Sequence, residues 1–225
     1  MRCFRLVSMA LLIACASTGT RPSDMAATAH DSAASAESAS ASDHLSQFSP
    51  GSVPYLENCP GATGFNEPRV PCWTSRANPS ARHLQEAEEH GRMATAHRAA
   101  AQSLRDAEAQ ACSGLQPADR DISPFFHRED IASITPIAGG ASIAFRPVLG
   151  LTRDGLQAIV DCHLARSAAL GYDIPEMSYC PLVPRGATAA VRPKGTMLVV
   201  EVRSDDREGA AEILRRARSL VGPGR

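Results

Sequence analysis

The chain has 225 residues, 44% of them hydrophobic but only 4% aromatic, with a formal net charge of −1. That is room for one ordinary domain with tails, built on an aliphatic core. Near-neutrality gives no reason to expect nucleic acid or an anionic membrane surface as partner. The sole lysine, Lys194, falls in a turn and argues against acyl transfer by a serine–lysine pair.

The first fifteen residues read MRCFRLVSMALLIAC. Arg2 and Arg5 precede the apolar run Leu6–Ala14, which is too short to span a bilayer and suits a signal h-region. The run closes on Leu12-Ile13-Ala14-Cys15. This motif resembles the lipobox of bacterial lipoproteins. The resemblance implies removal of residues 1–14 and lipid on Cys15, anchoring the mature chain to a membrane without a spanning helix. By the same resemblance, Ala16 after the cysteine implies the outer membrane, facing the periplasm.

Residues 15–52 are rich in serine and alanine and poor in bulky apolar side chains. They are expected to form a disordered tether, because burial there cannot offset ordering entropy. Its random-coil reach is about 35 Å. His30 and His44 lie within it and are read as solvated.

Residues 53–225 are expected to form the globular part. Residues 53–78 read as a loop broken by Pro54, Pro60, Pro68 and Pro71. Cys59 and Cys72 bracket its middle, and an oxidising compartment predicts a disulfide between them. A long helix follows over 79–113, capped by Asn78 or Ser80 and ended by Gly114. Met93, Ala96, Ala100, Leu104, Ala107 and Ala111 form its expected seam. His83, His90 and His97 share one face at steps of seven. Seven residues is about 10.5 Å of rise, so the three cannot bind one ion by themselves. Residues 115–131 read as a charged linker interrupted by Phe125 and Phe126.

The remainder contains a repeat. TRDGLQAIVDCHLAR (152–166) aligns with DREGAAEILRRARSL (206–220), and SIAFRPV (142–148) with TMLVVEV (196–202). Strand-like runs at 131–137 and 187–192 precede the turns AGG and PKG. The order is ββα twice, over 131–171 and 186–221. The expected fold is α+β: a long N-terminal helix, then a duplicated ββα unit forming a four-stranded antiparallel sheet covered by two helices. Pro147 predicts an edge or a bulge for its strand.

In the first repeat helix Leu156, Ile159, Val160, Leu164 and Leu170 gather on one face, with His163 near its centre. His163 aligns with Ala217 and Cys162 with Arg216. A core histidine with hydrogen-bonded nitrogens is the expected role. Removing Cys3 and Cys15 leaves five cysteines, an odd number. After Cys59–Cys72 the next expected pair is Cys162–Cys180, with Cys112 competing for either.

The sequence lacks the motifs GxSxG, P-loop, GxGxxG, HExxH and CxxC. Cys162 and His163 point about 100° apart on a helix and cannot form a dyad with each other. The functional expectation is a membrane-anchored envelope lipoprotein acting as a non-catalytic binding or interaction module, for an envelope protein or a small ligand. The alternative is a periplasmic copper or zinc site made by His97, His127 and His163 with Cys112 near, since imidazoles and a thiol suit those ions. A hydrolase built on His127 and the acidic linker ranks below both.

Overall fold

A computed structural model of the chain describes residues 19–58 and 71–221, with the side chains of 55–58 and 71–74 left aside. In chain order the elements are α1 (Ala27–Gln47), β1 (Val53–Asn58), β2 (Pro71–Ala77), α2 (Ala81–Ala111), α3 (Pro117–Asp121), β3 (Ile131–Ile137), β4 (Gly140–Phe145), α4 (Arg153–Ala169), β5 (Thr188–Lys194), β6 (Met197–Arg203) and α5 (Arg207–Leu220).

The α+β expectation holds. One antiparallel sheet has the order β3-β4-β6-β5, so the two repeats join through their second strands. The helices exchange: α4 packs on β5 of the other repeat, and α5 on β4. Ala141, Ile143 and Phe145 of β4 and Val200 and Val202 of β6 point into the core. Leu156 and Val160 of α4 and Ile213 and Ala217 of α5 close it from above.

Glycine chemistry explains why the repeat could be aligned. Gly139 and Gly195 turn the two hairpins at φ of 78° and 63°, where a side chain is strained. A Cβ on Gly140 would lie 2.1 Å from the Val202 carbonyl oxygen. The Thr152 side chain accepts from Gly155 N at 3.0 Å, and Asp206 from Gly209 N at 2.7 Å, so both repeat helices are capped at the same step.

The fold departs from expectation at three smaller points. β4 is central and Pro147 lies beyond its end, so no edge strand is marked there, although the β3–β4 ladder shifts register at that end, between Ile131 and Ser133 opposite Phe145 and Ala144. Residues 53–78 contain an antiparallel two-stranded sheet instead of a plain loop. Two strands leave an unpaired edge on each side, where Pro54 and Pro71 cost no ladder bond. Leu170 caps α4 and is exposed, outside the face it was assigned to.

The largest correction concerns the tether. Residues 27–47 form α1, which runs antiparallel along α2. No glycine or proline occurs between Ser23 and Ser49, and alanine is the strongest helix former. Ala27 and Ala34 on α1 and Ala87, Ala94 and Ala101 on α2 are buried. Their spacing of seven is the hydrophobic period of a coiled seam, written in small side chains that let two helices approach closely. The seam expected on α2 is correspondingly shifted: Ala107 is exposed, while Ala100 and Leu104 are buried.

The hairpin is fixed to the sheet domain at several points. Leu104, Ala27 and Ala169 pack together where α2 meets α4. Arg185 donates to the Ser23 carbonyl, and Gly171 faces Ala26 so closely that a Cβ would sit 2.8 Å from it. A disulfide joins Cys112, at the end of α2, to Cys162 on α4.

Candidate functional site

Two places gather chemistry-bearing side chains: the seam between α1 and α2, and a cleft beside α3.

Along the seam every step of seven up α1 meets a step of seven down α2. His30 faces His97, with their Nδ1 atoms 3.0 Å apart. Glu37 Oε2 faces His90 Nδ1 at 2.6 Å. His44 faces His83, Nδ1 to Nδ1, at 3.2 Å. The inner pair is buried, His30 at 0% and His97 at 4% exposure. One of its rings must donate through Nδ1 and the other accept. Whichever it is, His30 Nε2 is left buried without a partner, an uncommon and costly arrangement. The outer pair is half-buried, and Glu86 of the next turn reaches it. So the two histidines read as solvated are both packed against α2.

The cleft has a volume of about 290 Å³. Phe145, Leu151, Leu156 and Ile159 make its apolar wall, and Asp119, His127 and Asp130 stand at its rim. Among the described residues no ion pair or hydrogen bond engages the Asp119 or Asp130 carboxylate. Ile122 and Val148, which also line it, are exposed at 43% and 36%, and neighbouring Phe126 and Leu149 at 57% and 104%. Exposed apolar side chains clustered beside a cleft mark recognition surfaces more often than chance placement does.

His163 ties two residues of the cleft wall, Asp119 and Ile122, to α4. It is 2% exposed, and its Nε2–H donates to the carbonyls of Ile122 at 3.0 Å and Asp119 at 3.2 Å. Burial pushes its pKa below the usual histidine value, against the two carbonyl bonds that raise it. In the second repeat Ala217 packs on the sheet, and no linker needs holding there. The histidine therefore replaces an alanine because α3 must be clipped to α4.

The expected metal set does not assemble. His97 is committed to His30. His127 is exposed on the linker, with Nδ1 3.3 Å from Glu129. His163 holds α3, and Cys112 is oxidised. The expected Cys162–Cys180 pair is likewise replaced by Cys112–Cys162. Cys162 faces α2, an element with no counterpart in the second repeat, whereas Cys180 lies under the linker, where it accepts from Ser123 Oγ at 3.3 Å. Burial pushes the Cys180 thiol up, so it stays protonated and inert. The Cys59–Cys72 pairing and Cys15 lie outside the described residues.

The class defined by fold and site is a two-layer α+β domain carrying a histidine-lined helical hairpin. No family model matches the chain, and comparison with curated proteins and solved structures found no match to it. Among the described residues no helix is long and apolar enough to cross a membrane.

Proposed function

We propose that the protein is a non-catalytic binding module, held at the cell envelope by lipid on Cys15 and facing the periplasm from the outer membrane. The observation that carries the binding function is the cleft beside α3. Its walls define the ligand: an apolar body against Phe145, Leu151, Leu156 and Ile159, with a positively charged end at the free carboxylates of Asp119 and Asp130. Its volume is at the lower end of small-molecule sites, so the ligand is compact. His127 stands at the rim beside Glu129, with the imidazole exposed to solvent, a position for rim polarity and not for a water-excluded reaction.

Two probes of one shape and opposite charge test this reading. 2-Phenylethylamine is expected to bind in ligand-observed NMR, and 3-phenylpropionate to fail. Ile159→Trp, which fills the cleft, is expected to abolish amine binding. Equal binding of both probes, or of neither, contradicts the proposal. For the anchor, Cys15→Ser is expected to release the protein from membranes and block its processing. Unchanged membrane fractionation and normal processing contradict it.

A further inference from the structure

We propose that the α1–α2 hairpin carries a divalent transition-metal site, made by His44 Nδ1, His83 Nδ1 and Glu86 Oε2, with a fourth coordination position open. The site is independent of the cleft.

The geometry comes first. His44 Nδ1 lies 3.2 Å from His83 Nδ1 and 3.1 Å from Glu86 Oε2, and His83 Nδ1 lies 3.5 Å from the same oxygen. An ion bound tetrahedrally with bonds of about 2.0–2.1 Å keeps its ligand atoms about 3.3–3.4 Å apart. The three atoms thus already form a triangle of the size that one face of such a site requires. Among the described residues this is the one cluster of three potential ligands.

Hydrogen bonding alone serves the triangle poorly. The Nδ1 contact between the two rings needs only one proton, and Glu86 Oε2 is buried without a hydrogen bond. Such an atom loses its hydration, and its close contacts with the two rings make no hydrogen bond in return. A cation at the centre would satisfy all three lone pairs together.

The surroundings hold the ligands in place. Arg82 Nε takes the other oxygen, Glu86 Oε1, at 3.2 Å, which leaves Oε2 directed at the rings. His90 stacks on His44, centroids 5.4 Å apart and planes 11° apart, while its own Nδ1 is tied to Glu37. The helix ends are clamped by Ser49 and Ser80: Ser49 N donates to Ser80 Oγ at 2.9 Å, and Asn78 Nδ2 to Ser49 O at 2.7 Å. Partners of this kind fix ring orientation in metal sites.

Two imidazoles and one carboxylate suit zinc, copper(II) or cobalt(II). Calcium and magnesium take oxygen ligands and are not served. Three protein ligands with an open position define an exchangeable site, unlike the closed four-ligand sites that hold folds together. The ligand side chains are 24–33% exposed, which gives an ion a route in and out.

The test uses the purified protein at pH 7.5 with cobalt(II) as spectroscopic probe, zinc as competitor and calcium as control. One equivalent of cobalt is expected to give the visible bands of a tetrahedral ion, and one equivalent of zinc to remove them. His83→Ala and Glu86→Gln are each expected to weaken binding at least tenfold. Glu86→Gln keeps the shape and polarity of the side chain, so its fold can be verified by circular dichroism even if His83→Ala destabilises the hairpin. His127→Ala and Cys180→Ser are expected to bind as the parent does. The proposal is overturned if the parent binds no stoichiometric cobalt or zinc, if Glu86→Gln binds like the parent, or if calcium competes equally.

Discussion

The sheet domain and the helical hairpin bury histidine in opposite ways. In the domain His163 is a single buried histidine, and its ring proton reaches two backbone carbonyls. In the hairpin four histidines face each other in two pairs and His90 faces Glu37, the seam around them is alanine, and His30 Nε2 and Glu86 Oε2 are buried without a hydrogen bond. A large apolar core tolerates a polar group whose bonds are made; a thin seam that leaves them unmade is weaker and open to an added ligand. The domain is the scaffold, and the hairpin is the adjustable part.

The largest effect should come from separating the two. Cys112 and Cys162 are 50 residues apart in sequence. The chain-entropy model assigns about 4 kcal/mol to closing such a loop. Cys112→Ser is expected to lower the stability of the hairpin by an amount approaching that, with the sheet domain retained. Denaturant unfolding followed by hydrogen exchange checks this. A uniform loss over both regions would erase the distinction between them.

Overpacking should come next. Ala94 is 1% exposed in the seam, and Ala94→Leu is expected to cost about 1–3 kcal/mol by forcing the helices apart. The same change should disturb cobalt binding while leaving the amine probe unaffected. Loss of both would mean that hairpin and cleft are one unit.

Acid distinguishes the domain from the hairpin by residue. Burial holds the folded pKa of His163 below its unfolded value near 6.5. The unfolded state therefore binds the extra proton. The domain keeps its stability above pH 6.5 and loses it progressively as pH falls from there towards the lower folded pKa. His163→Ala should flatten that limb, while leaving a cavity and removing the α3 clip. Further down, Arg215 and Arg216 hold Glu212 at about 2, so its contribution is present above the usual glutamate value and fades as pH falls from there towards 2. Melting curves from pH 8 to 3 follow both. An unchanged slope in His163→Ala would remove its assigned role.

The smallest effect expected is a gain. Gly91 lies inside α2 with open space around its Cβ position. Gly91→Ala should stabilise the hairpin by about 0.5–1 kcal/mol, read as a rise in the midpoint of its own transition.

How much was legible follows the same division. The sheet domain announced itself through the ββα order repeated twice, the turns AGG and PKG, and the helix segments that align from Thr152 and Asp206. The hairpin was hidden because alanine is only weakly apolar, so a seam built from it among serines reads like a solvated run. Ala27 and Ala34 stand out little from their neighbours, yet their step of seven matches that of Ala87 and Ala94 on the partner. The spacing of His83, His90 and His97 was visible, and it is true that one helix cannot close three such residues on one ion. What the sequence of α2 lacks is the opposing helix, which brings His44 within 3.2 Å of His83. The Cys112–Cys162 bond was obscured for the same reason, since it depends on α2 lying against α4.

The central claim is that residues 27–47 are a helix zipped to α2, and amide hydrogen exchange across that segment tests it most directly. Without metal, exchange is expected to be slowed in the stretch around His30 and Ala34 and faster towards His44. One equivalent of zinc is expected to slow exchange around His44 and His83 and to leave β4 and β6 unchanged. Exchange of residues 27–47 at the rate of an unstructured chain, with and without zinc, would contradict the account.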